Sequence, residues 1–193
     1  MSQQMKFNKE KRDFSLFNEE QIQRIIYSLW DFQQALSALT FLLEECDFKK
    51  KYAKVQLRKF RCYETNMIVS LARPFTKARG KSILSLKKLG IYLESKEKIL
   101  LERVIGIRNE IVAHSDNREM YFKFQTMEPF DDSKIKMPIA VFYEGLHFEG
   151  EEFDQLELLL HDLIHGVSRF IFDWANKHPS KIEMFVLPDR LNG

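Results

Sequence analysis

Residues 18–45 read NEEQIQRIIYSLWDFQQALSALTFLLEE, and their spacing decides the architecture. Ile22, Ile25, Leu29, Phe32, Leu36, Leu39 and Leu43 recur at alternating steps of three and four, the seam of a long helix packed lengthwise on others. Asn18 followed by Gln21 has the form of an N-cap with its box partner. The same rhythm returns in Phe153, Leu156, Leu160, Leu163, Val167, Phe170 and Trp174, and His178-Pro179 ends it because proline cannot continue the ladder. Two long seamed helices imply an up-and-down bundle.

Between them, Tyr52, Gln56, Phe60, Tyr63, Met67 and Leu71 support a second helix that stops where Pro74 follows Arg73. RPFTKARGKS, from Arg73, is a polar, basic connection. A short helix is expected over Ile83–Leu89, and a further long one carries Leu100, Val104, Ile107 and Ile111. From Ser115 the chain changes character. YFKFQTM, IAVFY and LHF bunch β-formers around turn residues, which predicts a small antiparallel hairpin or meander at about 120–148, before the last long helix. KIEMFVL, from Lys181, offers one more strand. The expected fold is mainly α: one bundle domain over 18–193 after a polar arm at 1–17.

Composition agrees. A chain of 193 residues buries a core without metal or disulfide staples, and 45% hydrophobic content with 17 Phe excludes wholesale disorder. Seven Gly and five Pro are few for many short strands and turns. Cys46 and Cys62 lack CxxC or histidine spacing and are expected to be buried thiols in a reducing cytoplasm. Met1–Arg12 carries no apolar signal core, and no window approaches the ~18 apolar residues of a membrane span, so a cytoplasmic chain without membrane contact is expected. The aromatic residues, among them Tyr27, Trp30, Phe41 and Phe142, are assigned to the core, because they do not interleave with basic residues as in base-stacking modules.

The net charge of +2 conceals a segregation. Residues 48–103 hold sixteen basic and four acidic side chains, against five and eight before them and nine and sixteen after. Lys49, Lys50, Lys51, Lys54, Arg58, Lys59 and Arg61 open the second helix. Such a run attracts phosphates, or else forms a solvated face paired with the acidic stretch Glu149–Glu157.

The most informative string is IRNEIVAHSD, Ile107–Asp116. On a helical projection Arg108 and His114 lie roughly 120° and about 9 Å of rise apart, flanking the apolar strip of Leu100, Val104, Ile107 and Ile111. An imidazole can take the proton of an RNA 2′-hydroxyl, and a guanidinium can hold the charge of the phosphorane. Asn109 adds an amide able to orient either group. The structural alternative has His114 bonding free carbonyls at a helix end and Arg108 pairing with a carboxylate.

Arg108-Asn109-x-x-x-Ala113-His114 resembles the R-x(4–6)-H signature of HEPN domains, and SLARPF at Ser70–Phe75 together with IRNEIVAHSD is similar to the abortive-infection branch of that superfamily. The resemblance implies an all-helical bundle that dimerises and brings two motifs together around a cleft. Many members are metal-independent endoribonucleases of toxin–antitoxin, abortive-infection or other defence systems; others are silent RNA-binding or protein-interaction modules. It implies that His114 does acid/base work, Arg108 binds the phosphate and Asn109 supports it; Arg73 matches a recurring arginine of that branch, and Arg73, Ser115 and Asp116 are candidate supports or substrate contacts. RNA, a second copy of the chain and an antitoxin or regulatory protein are the implied partners. The inserted strands depart from the minimal bundle.

Other constellations are weaker. Glu157, His161 and His165 step by four along one helix face, a conceivable metal site without the glutamate of HExxH. Glu64 and Asn66 are polar residues in an apolar pattern and candidate supports for Arg108 or His114, with Lys54, Arg58 and Arg61 as substrate contacts. No Gly-rich phosphate loop, nucleophile elbow or kinase set is present, and no cofactor is expected.

Overall fold

A computed structural model describes residues 14–77, 82–113, 122–127, 136–142 and 145–182. Helix α1 (Glu19–Glu45) begins at the predicted box: Asn18 Oδ1 accepts from the Gln21 N–H at 2.9 Å and Gln21 Oε1 accepts from the Asn18 N–H at 3.1 Å. Helix α2 (Lys54–Ala72) returns antiparallel to it and ends one residue before Arg73-Pro74. A short helix, α3 (Leu86–Leu89), closes on Gly90, whose φ of 71° is the left-handed cap that glycine adopts without strain. Helix α4 (Ser95–Ala113) follows, then strands β1 (Phe122–Met127) and β2 (Met137–Phe142), helix α5 (Gly150–Lys177) and the single turn α6 (Pro179–Ile182).

α1 packs against α2 and α5, and α4 packs against the same two, so α1 and α4 occupy opposite corners of the bundle. Phe32, Leu39, Leu42, Met67, Leu71, Val104, Phe153, Leu156, Leu160 and Leu163 fill the centre and are fully buried. β1 and β2 pair antiparallel, Phe122 opposite Phe142 and Met127 opposite Met137, as a two-stranded ribbon before α5. The fold is thus mainly helical with one small sheet, as the periodicities require.

Four expectations need correction. The core begins inside the expected polar arm: Phe14 is buried, and the rings of Phe14 and Phe17 lie 5.4 and 4.9 Å from Phe170. LHF is a bend, because its backbone is bonded by a side chain rather than a strand. Cys62 is exposed, unlike Cys46. Tyr27, Trp30 and Phe41 are exposed as well, on the outward face of α1. KIEMFVL beyond Ile182 and the side chain of Phe142 lie outside the described residues.

One ionic cluster fastens α1 to α2. Asp31 is buried, and Arg73 Nη1 reaches its Oδ1 at 2.5 Å. Buried Arg24 donates from Nη2 to the Arg73 carbonyl, and Ser28 Oγ donates to the Arg24 carbonyl at 2.7 Å. Burial lowers the pKa of Arg24 and the Asp31 charge opposes that. Removing the anion would leave a cation in the core without its counter-charge. Asp31→Ala is therefore expected to destabilise the chain by about 3 kcal/mol, read by urea unfolding. A loss within ~0.5 kcal/mol, the size of a surface substitution, contradicts the cluster's role.

Candidate functional site

Just before helix α4, the Glu94 N–H donates to Glu97 Oε2 at 2.7 Å. The helix buries Leu100, Leu101, Val104 and Ile107. Those positions place Arg108 on one flank of the apolar stripe and Arg103 and Glu110 on the other. Arg108 is half-buried: its Nη1 donates to Asn109 Oδ1 at 3.1 Å, and its enclosed Nε meets no hydrogen-bond partner among the described residues. No described carboxylate pairs with it. His114, Ser115 and Asp116 lie outside the described residues.

The opposite flank holds a group that the sequence reading missed. His147 is carried on the bend before α5, where Glu64 of α2 holds it: Glu64 Oε1 accepts from the N–H groups of His147 at 2.7 Å and Phe148 at 3.1 Å. Arg103 of α4 donates from Nη2 to the His147 carbonyl at 2.7 Å, pairs with Glu152, and lies 4.8 Å over the Phe148 ring. Nothing in the local sequence signals this, since Glu64 and His147 are 83 residues apart. Burial lowers the pKa of His147, the charges of Arg61 and Arg103 lower it further, and Glu110 opposes them.

Glu64 is fully buried, and its Oε2 has no hydrogen-bond partner among the described residues. Burial pushes its pKa up to about 7, against the two backbone N–H bonds and the charges of Arg61 and Arg103. Its described bonds go to backbone, not to Arg108. Asn66 is exposed and accepts from Ser70 Oγ at 3.3 Å on its own helix.

Lys54, Arg58 and Arg61 follow one another at steps of four and three along α2, so they share a face. The stripe runs from the exposed Lys54 and Arg58 to the half-buried Arg61, whose charge acts on Glu64 and His147. Its path leads to the seam between α2 and α4. Lys59, on another face, pairs with Glu45, whose carboxylate it holds below the ordinary range. Arg73 is a strut between α1 and α2, as described above. Glu157, His161 and His165 lie along α5, but among the described residues no three His, Cys, Asp or Glu side chains converge as a metal site. Burial raises the pKa of Asp162, with the charges of His165 and His161 opposing. No described helix is long and apolar enough to cross a membrane.

No protein-family model, curated protein or solved structure matches the chain. Its site therefore rests on its own geometry.

The buried Glu64 carboxyl gives a pH signature. Between its ordinary 4.5 and about 7, the folded chain keeps a proton that the unfolded chain has released. Stability from this group is thus full at low pH and falls as pH rises through that window, by about 3 kcal/mol for a shift of this size. Glu64→Gln keeps an acceptor for both N–H groups and cannot ionise. Thermal melts from pH 4.5 to 8 are expected to show the variant gaining on the wild type as pH rises, His147 being common to both. Parallel curves contradict the assignment.

Proposed function

We propose that this chain is a metal-independent endoribonuclease of a defence or toxin–antitoxin type, with a HEPN-like bundle. His114 is the general acid/base, Arg108 grips the scissile phosphate, and Asn109 orients the guanidinium. The observation that carries this reading is the state of Arg108. A half-buried guanidinium that has an amide for a neighbour and no described carboxylate is one whose hydrogen-bonding capacity a phosphate would complete. The cationic stripe of Lys54, Arg58 and Arg61 supplies an approach for a polyanion.

The chemistry needs no cofactor. His114 takes the proton of a ribose 2′-hydroxyl, and that oxygen attacks the adjacent phosphorus. Arg108 holds the charge that builds on the phosphoryl oxygens, and the 5′-oxygen leaves with a proton. The products are a 2′,3′-cyclic phosphate and a 5′-hydroxyl. An antitoxin or regulatory protein that covers this face would silence the activity. A second reading, a silent module that binds RNA without cutting it, draws on the same basic stripe.

Cleavage of single-stranded and structured RNA in EDTA separates the two. The wild type is expected to cut, leaving 5′-hydroxyl ends, and to spare substrate methylated at the 2′-oxygen. His114→Ala is expected to lose ~10²–10⁴-fold in rate, and Arg108→Ala about 10²–10³-fold, at unchanged melting temperature. Variants that cut as well as the wild type contradict the catalytic assignment. Salt-sensitive binding without cleavage selects the second reading.

A further inference from the structure

Arg24 is a cation in the interior, only 6% exposed. Its Nη2 donates to the Arg73 carbonyl, while its Nε is enclosed and meets no hydrogen-bond partner among the described residues. The side chain borders a cavity of about 40 Å³ between the start of α1 and α3. That is roughly three times the ~10–15 Å³ that one water needs, so it has room for a group of several heavy atoms. Its other polar side chains are Gln21 of α1, Ser82 and Ser85 of the chain leading into α3, and Lys88 of α3. These groups offer donors. Gln21 Oε1 is already spent on the Asn18 N–H, which leaves its NH₂ group to donate. Ser85 is the N-cap residue of α3, yet its hydroxyl makes no capping bond. Arg24 and Lys88 carry no acceptor at all. None of the described residues that line the cavity is acidic.

We infer that this cavity binds a tetrahedral oxyanion, a phosphate that is either free or carried as a monoester on a small molecule. Charge and geometry both call for it. Arg24, Arg73 and Lys88 bring three positive charges to this junction, and the buried Asp31 that pairs with Arg73 brings one negative charge. Burial works against the charged form of Arg24, Asp31 supports it, and Arg73 works against it again. A water would satisfy a donor but leave the charge as it is, whereas a phosphate answers both. Donors come from α1, from the coil at Ser82 and from α3, three segments that suit the four oxygens of a tetrahedron better than the two of a planar carboxylate. Lys88 is exposed, so the cavity opens to solvent on its side and leaves room for the rest of a monoester.

The cavity is distinct from the site proposed to cut RNA. It lies on α1 and α3, whereas Arg108 belongs to α4, at the corner of the bundle opposite α1. A phosphate held there joins α1 to α3 and stabilises the folded chain by mass action. The inference stands whether or not RNA is cut.

Calorimetric titration of inorganic phosphate into the full chain, with sodium chloride holding the ionic strength constant, tests it. The wild type is expected to take up one phosphate with a Kd of about 1 mM or tighter, and to melt at a higher temperature in phosphate than in chloride. Lys88→Ala should weaken binding roughly ten-fold, the loss of a charge-assisted bond, and Ser85→Ala about five-fold, the loss of a neutral one. Both should fold, because Lys88 is exposed and the Ser85 hydroxyl makes no capping bond. Arg108→Ala should leave the phosphate affinity unchanged. Glycerol 3-phosphate distinguishes the two sources: affinity at least equal to that of inorganic phosphate assigns the site to a monoester, and weaker affinity assigns it to the free ion. No binding up to ~20 mM phosphate overturns the inference. So does binding that Lys88→Ala and Ser85→Ala leave unchanged, or that Arg108→Ala abolishes.

Discussion

The bundle turns on one buried carboxylate. Glu64 sits in the core of α2 and collects the N–H groups of His147 and Phe148, the backbone immediately before α5. That grip fixes where the chain re-enters the bundle after its β ribbon. Arg103 completes the junction from α4, bonding the His147 carbonyl, pairing with Glu152 and lying over Phe148. Three helices distant in sequence are held at one point, two of them by side chains and the third by its leading backbone. Burying a glutamate opposes folding when it is ionised, but losing its two bonds to backbone N–H groups would be costly too.

From this junction follow the positions of the groups argued to act on RNA. Fixing α4 against α2 buries Val104 and Ile107, and the helical repeat then puts Arg108 at the rim rather than in the core or in open solvent. The same packing brings the end of the α2 cationic stripe to the seam, since Arg61 stands three residues, just under one helical turn, before Glu64. The net charge of the whole chain gives no hint of such a surface. Its distribution does, and the fold keeps that distribution: the Lys59 charge is neutralised by Glu45 on α1 and the Arg103 charge by Glu152 on α5, and Lys54, Arg58 and Arg61 lie aligned along α2.

Much of this was legible in the residues. The seams of α1 and α5, the Asn18–Gln21 box and the stop at His178-Pro179 are local patterns, and each is found where its spacing places it. What escaped is non-local. The hold of Glu64 on His147 spans 83 residues, and no periodicity encodes it. Periodicity also does not say which apolar face a helix hides: α1 carries large rings on its outward side as well as aliphatics inside, so Tyr27, Trp30 and Phe41 read as core although they face outward. Phe14 and Phe17 were hidden by their polar surroundings in sequence, while their partner, Phe170, lies on the last long helix.

In the function proposed above, the α2–α4 side of the bundle holds RNA through its phosphates, with Arg108 among the contacts. The most direct measurement is the salt dependence of single-stranded RNA binding to a His114→Ala chain, which separates binding from cutting. With four phosphates engaged by Lys54, Arg58, Arg61 and Arg108, the slope of log K against log salt is expected to be about −2.8, and about −2.1 once Arg108→Ala is added, at ~0.7 per phosphate. Binding that is absent, insensitive to salt, or of unchanged slope after Arg108→Ala contradicts the account.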